Sequence, residues 1–167
     1  MPNTTPPTWL RRIDSPIGRL ELTSDGAALT TLTIEKDGHL PLDGMPETSN
    51  HVLDRAAKQL DEYFASKRRS FSVSLAPRGT TFQQAIWGQL RDLAWGDVTT
   101  YGELGLGTGR ATAGRAVGGA IGANPIPLVI PCHRVLGSDG RITGYSGGAG
   151  IPTKLWLLEH EGILLAA

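Results

Sequence analysis

Residues 124–137 read NPIPLVIPCHRVLG and hold the only cysteine of a 167-residue chain, Cys132, set between a proline and a histidine. Pro125, Pro127 and Pro131 restrict the backbone around Ile126, Leu128, Val129 and Ile130. The run is expected to be extended and buried, delivering Cys132 at its rigid end. A lone cysteine in apolar surroundings is commonly structural, but a structural cysteine needs neither the following His133 nor the polar Arg134. The pattern reads as a nucleophile.

A free thiol is only a few per cent ionised at neutral pH, so a reactive one needs a base or a positive field. His133 is the candidate base. Neighbouring side chains on an extended segment point to opposite sides, so the expected geometry places a water between imidazole and thiol. The imidazole in turn needs an orienting acceptor, for which Glu161 and Glu159 in LEHEG (158–162) compete. Pro152 is placed to open a final helix and Gly162 to cap it. Glu161 then sits at the negative end of the helix dipole, disfavoured by roughly 0.3–1 kcal/mol unless a positive partner compensates. A developing imidazolium on His133 is such a partner, which selects Glu161. Arg134 reads as pairing within the fold.

Working outward, the N-terminal half carries few chemically active residues. IDSPIGRLELTSDGAALTTLTIEK (13–36) reads as short strands broken by Ser15-Pro16 and Asp25-Gly26 turns, followed by a polar loop to Asn50. Val52, Leu53, Ala56, Leu60, Tyr63 and Phe64 keep a helical period, and Phe71, Val73 and Leu75 alternate as a strand. The period changes at APRGTT (76–81). Thr80 with Gln83 forms a capping box before one helix, and Thr100 with Glu103 another before a short, glycine-weakened one. A third helix is expected from about Thr112 to Ile121. Helix, glycine turn and a helix of tiny residues resemble a helix-turn-helix. The chain thus divides into an α+β unit over residues 1–78 and a mostly helical unit over residues 79–167. Of its 22 glycines, 15 follow Tyr101, which suits a surface that lets another backbone or a ligand come close.

Composition narrows the class. Apolar residues make up 40% and charged residues 19%, the balance of a globular chain, and 16 basic residues offset 16 acidic ones. Bulk charge therefore neither announces nor excludes a nucleic-acid partner, since a local patch suffices. A single cysteine rules out an internal disulfide, a redox pair and a thiolate-rich zinc site. His39, His51, His133 and His160 show no metal-ligand spacing with it. No apolar run approaches the ~18 residues of a membrane span, and the N-terminus has no apolar signal core, so a cytoplasmic protein with no membrane partner is expected.

PCHRV (131–135) resembles the active-site signature of the O6-alkylguanine-DNA alkyltransferases. The likeness runs through GRAVGGAIGANPIPLVIPCHRVLGSDGRITGYSGG (114–148) and KLWLLEHEG (154–162), and covers most of residues 80–163. The first 75 or so residues resemble that family's ribonuclease-H-like domain only in length and element order. The resemblance implies direct reversal of DNA alkylation. The alkyl group of O6-alkylguanine, and by extension O4-alkylthymine, passes irreversibly to the protein's own cysteine, once per molecule, on a base flipped from the minor groove of double-stranded DNA. It implies Cys132 as acceptor, His133 as water-mediated base and Glu161 as its partner. Asn124 becomes the brace between the helix-turn-helix and the active-site strand, and Tyr101 the tyrosine that contacts the flipped nucleotide and helps protonate the leaving guanine. Arg115 becomes the finger that fills the vacated stack, on a helix whose Ala113, Gly114, Ala116 and Gly118 approach the groove. The carbonyls of Cys132 and Val135 read the guanine amino group, and Tyr145 and Ser146 line the pocket. No cofactor and no metal are implied, because the zinc-binding cysteines of some family members are absent here. A monomer in solution is expected, with cooperative binding along DNA left open.

Two features depart from the family pattern. GGAGIPTKLW (147–156) is about two residues longer than the usual spacing, and ELGLGTGR (103–110) is richer in glycine. Two other functions compete. A non-catalytic lesion-binding module would share the pocket but lack the cysteine, and a Cys-His-Glu acyl hydrolase would need an oxyanion hole for which no motif is evident.

Overall fold

The computed structural model describes residues 9–109 and 114–165. Three strands, β1 (Trp9–Ile13), β2 (Leu20–Ser24) and β3 (Leu29–Ile34), form an antiparallel sheet in that order. They break at the Ser15-Pro16 and Asp25-Gly26 turns, where Gly18 and Gly26 take φ of 107° and 104°. The central strand β2 is buried along its whole length. Its Leu20 and Leu22 join the apolar core with helix α1 (His51–Phe64). Glu21 points to the other face, where it accepts from the Arg12 guanidinium and the Leu42 amide. Helix α1 starts on Asn50, whose side chain accepts from Leu53 N at 2.9 Å, and buries Val52, Leu53, Ala56, Leu60 and Tyr63.

The strand expected at 71–75 is not formed. It shrinks to one bridge between Leu75 and Leu29, because the Gln59 side chain takes the Ser72 amide at 3.0 Å and leaves no ladder to extend. Val73 is buried all the same.

The chain then crosses into helix α2 (Thr81–Arg91), where the Thr80–Gln83 capping box is complete. Strand β4 (Thr99–Thr100) leads into α3 (Tyr101–Gly107). Here only half of the expected box exists. Thr100 accepts from Glu103 N, but the Glu103 carboxylate turns to the Thr99 hydroxyl at 2.9 Å. Helix α4 (Gly114–Gly122) follows. Its expected start near Thr112 lies outside the described residues, as does Ala113. Helices α2, α3 and α4 pack on one another, and fully buried Trp87 of α2 donates from Nε1 to Ala120 O at 2.8 Å. A 3-10 turn (Cys132–Arg134), strand β5 (Val135–Leu136) paired parallel to β4, and α5 (Ile151–His160) complete the chain. The buried residues of both halves join in one core cluster.

Residues 124–131 are buried but not extended. Ile130 N bonds Ile126 O at 2.9 Å, closing a turn in which Leu128 takes φ of 73°. Asn124 overrides the proline bias. Its Nδ2 donates to Ile130 O at 2.8 Å and its Oδ1 accepts from Ile126 N at 3.0 Å, so one side chain staples both ends of the turn. Leu32 N, on β3, bonds Pro125 O at 2.9 Å and ties the turn to the sheet.

The crossing between the halves depends on one close approach. A Cβ on Gly79 would lie 2.4 Å from Cη2 of Trp87, whose ring is held in place by the Ala120 bond. Gly79→Ala is therefore expected to destabilise the protein by about 1–3 kcal/mol, read as a lower denaturant midpoint at unchanged slope. Wild-type stability in that variant would show that Trp87 is free to move.

Candidate active site

Cys132 opens the 3-10 turn with its side chain buried, and its amide donates to Ile130 O at 2.8 Å. The turn, not an extended segment, sets the directions of the next side chains, since successive residues rotate by about a third of a turn. It sends His133 inward, where the ring is fully buried. His133 Nε2 lies 2.6 Å from Glu161 Oε2. A carboxylate only accepts, so Nε2 carries the proton and donates it. Nδ1 is then the bare lone pair of the neutral ring, and it is buried with no partner among the described residues. A base atom is thus left free on the imidazole of the residue next to the thiol.

Glu161 is buried and accepts from three different side chains. Tyr63 Oη donates to Oε2 at 2.6 Å and Arg134 Nε donates to Oε1 at 2.7 Å, beside the His133 contact. Helix α5 delivers it. Pro152 lies in the first turn, and the helix closes on Gly162 at φ 74°, with Gly162 N on Glu159 O and Ile163 N on Leu158 O. Burial alone would raise its pKa, but the bonds from His133, Arg134 and Tyr63 outweigh it and bring the carboxyl down to about 2. Glu159 is exposed. Burial holds His133 below its ordinary value against the pull of Glu161. It also pushes the Cys132 thiol up, and the Asn124 amide, the Tyr145 hydroxyl and the Lys154 ammonium oppose that only in part. The resting thiol is protonated.

Two cavities reach Cys132. One, of about 320 Å³, is walled by Tyr101, Gly118, Tyr145, Ser146 and Lys154. The other, of about 620 Å³, runs along β3 and the loop after it, past Thr33, His39 and Pro127. Tyr101 Oη pairs with Thr143 Oγ1 at 2.8 Å, and Ser146 is exposed at the rim. The Tyr145 hydroxyl is buried without a nitrogen or oxygen partner among the described residues and lies against the thiol. Val135 O accepts from Lys154 Nζ at 2.5 Å and Cys132 O accepts from Val135 N, which leaves each carbonyl a second lone pair. Gly114, Arg115, Ala116 and Gly118 lie on α4. Arg115 is exposed and lines neither cavity around the thiol. The longer loop folds into a turn, with Gly150 N on Gly147 O at 2.9 Å and Ala149 N on Thr153 Oγ1 at 2.9 Å.

Sequence reasoning missed three contributors. Tyr63 lies 98 residues from Glu161, and its helical period explained it as core. Lys154 is buried, with burial lowering its pKa to about 8, and nothing in KLW marks it. The β3 residues that wall the larger cavity carry no chemical signature at all.

These shifts fix a pH dependence. Glu161 is depressed from 4.5, so its contribution to stability is complete above 4.5 and is lost as pH falls through about 2. His133 is held neutral, so its contribution is complete above 6.5 and declines below it. Both act in the same direction. Urea-unfolding midpoints are expected to fall steadily on acidification from neutral pH, and Glu161→Gln to flatten the part of the curve below pH 4.5. Parallel curves for the two proteins would contradict this reading.

Comparison with known proteins agrees with the geometry. Residues 11–77 match the family described as 6-O-methylguanine DNA methyltransferase, ribonuclease-like domain, and residues 81–163 match its DNA binding domain. The methylated-DNA–protein-cysteine methyltransferase of Haemophilus influenzae is 42% identical over 156 residues, covering 89% of this chain and 83% of that protein. The crystal structure of the Mycobacterium tuberculosis O6-methylguanine methyltransferase superposes with a TM-score of 0.81 at 41% identity, covering 95% of this chain and 96% of that one. A second structure of the mycobacterial protein, in complex with DNA, gives 0.80 at 42% identity and covers 92% of each chain. The α+β class expected from the sequence, a ribonuclease-like part followed by a helical one, is the fold found. With both parts matched over most of the chain, this protein belongs to the 6-O-methylguanine DNA methyltransferase family.

Proposed function

We propose that this methylated-DNA–protein-cysteine methyltransferase moves the alkyl group of O6-alkylguanine in double-stranded DNA, and of O4-alkylthymine, onto Cys132 once and irreversibly. The observation that carries this reading is the neutral His133 ring, pinned through Nε2 by Glu161 with Nδ1 left bare. Nδ1 takes the thiol proton through a water, and the thiolate attacks the alkyl carbon in line with its bond to O6. The sulfur–carbon bond forms as the carbon–oxygen bond breaks, and the electron pair leaves on guanine. Tyr101 supplies a proton to the departing base, and the proton held on His133 restores the balance. The net change is a thiol and an alkylated guanine converted to a thioether and guanine. A thioether is not hydrolysed under mild conditions, so in this reading one turnover consumes the protein.

In this reading Tyr145 and Ser146 wall the base, and the free lone pairs of the Cys132 and Val135 carbonyls accept its amino group. Asn124 braces α4 against the catalytic turn. The reacting atom of a stacked base is out of reach, so the nucleotide is flipped at a cost of a few kcal/mol. Arg115, entering from the minor groove, fills the space. Among the described residues, nothing outside α4 lies within 4 Å of a Cβ built on Gly114, Gly118, Gly119 or Gly122. Internal packing does not require those glycines, and each weakens the helix by up to ~1 kcal/mol relative to alanine. Close approach of a DNA backbone accounts for them. In this reading residues 1–78 support the site, and residues 79–167 bind DNA and accept the alkyl group.

Intact mass after mixing with DNA containing O6-methylguanine is expected to rise by one methyl group and then stop, with Cys132→Ser unmodified but still binding. Glu161→Gln is expected to slow transfer by about 10²-fold, Tyr63→Phe less so, and Glu159→Gln to leave it unchanged. Repeated turnover per molecule would end the proposal. A slow Glu159 variant would end the assignment of the acid.

Arg115→Ala is expected to slow repair of duplex DNA far more than reaction with free O6-benzylguanine, which needs no flipping. Equal losses on the two substrates would remove the finger role.

A further inference from the structure

A third cleft, of about 460 Å³, shares no wall with the two that reach Cys132. Its walls combine segments 69–75, 91–95 and 128–134, so it opens where the two halves of the chain meet. Three guanidinium-bearing residues, Arg69, Arg91 and Arg134, line it, and no acidic residue does. Arg69 and Arg91 are exposed and have no carboxylate partner among the described residues. Arg134 is different. Its side chain is only 6% exposed, with Nε on Glu161 Oε1 at 2.7 Å and one terminal nitrogen on Leu93 O at 2.9 Å. The other terminal nitrogen has no partner among the described residues. A buried, rigidly oriented cation with one free donor thus sits at the cleft, with two exposed cations at its edge.

The volume lies within the ~300–1,000 Å³ of small-molecule sites and exceeds what an inorganic anion fills. Planar guanidinium forks match the oxygens of a phosphate. Trp95 and Phe71 give the cleft an aromatic wall, and Arg69 already lies over the Trp95 ring at 5.5 Å from its centroid. We propose that this cleft binds a nucleotide-sized organic phosphate, with the phosphate on Arg69, Arg91 and the free nitrogen of Arg134 and the attached ring along Trp95. Free nucleotides and a phosphorylated DNA end share that chemistry.

Titration calorimetry of the full chain at low salt tests it, with thymidine monophosphate as probe and thymidine as the uncharged control. Thymidine monophosphate is expected to bind at least about tenfold more tightly than thymidine, and the R69A/R91A double variant to lose that difference. Both residues are exposed and stand outside the alkyl-transfer machinery, so the variant is expected to keep wild-type reaction with O6-benzylguanine, which reports that it is folded. A terminally phosphorylated, undamaged oligonucleotide that outbinds its hydroxyl counterpart in an R69A/R91A-sensitive way supports the site with a DNA end as source. Binding confined to the free nucleotide supports it with the nucleotide as source. Equal affinity of wild type and double variant for the monophosphate, no binding by wild type, or equal affinity for thymidine overturns the proposal.

Discussion

A carboxylate taken out of water costs several kcal/mol unless donors surround it, and Glu161 is surrounded from three directions. Tyr63 comes from α1 in the N-terminal half, while His133 and Arg134 come from the 3-10 turn that Cys132 opens. The acid itself hangs on the C-terminal cap of α5. If α1, the turn or α5 moves, a buried charge loses a partner. The electrostatics of one side chain therefore fix the relative position of elements that apolar packing alone would hold less specifically. The same bonds set the histidine tautomer, so the constraint that organises the fold also decides which ring nitrogen is left bare.

The second fixed point is Asn124. Stapling Ile126 and Ile130 together, it bends the proline-rich run into a turn and leaves its amide beside the thiol. Through Pro125 O the turn also reaches Leu32 on β3. The sheet thereby becomes one wall of the larger cavity at Cys132, and the half of the chain without evident chemistry shapes the approach to the reactive sulfur.

Local signals in the sequence carried a large part of this. Ser15-Pro16 and Asp25-Gly26 mark the strand breaks, Thr80 with Gln83 the start of α2, and Pro152 with Gly162 the two ends of α5. Each is a short-range rule about φ or an orphan backbone group. The sequence reading went astray where a side chain from elsewhere captured the backbone. Gln59 takes the amide of Ser72 and removes a strand, Glu103 turns to Thr99 and halves a capping box, and Asn124 bends a run that its prolines had marked as extended. At the site, PCHRV and HEG were legible because a thiol, an imidazole and a carboxylate in that order read as a nucleophile, its base and the base's partner. Tyr63 and Lys154 were not, since a tyrosine or lysine at helical spacing has the same pattern whether or not its polar end meets a catalytic group.

The burial of Cys132 has a consequence for the protein's life before it meets a substrate. Oxidants and stray electrophiles react with thiolates in proportion to their ionisation and exposure. A cysteine that is 4% exposed and whose thiol is pushed toward its protonated form is shielded from both. Peroxide and small alkylating agents should therefore react with it slowly, while under the proposed mechanism an alkylated guanine that fills the cavity and engages His133 consumes it. Under the proposed single turnover, the low resting reactivity of Cys132 is a form of chemical storage, released only by the fit of the right base.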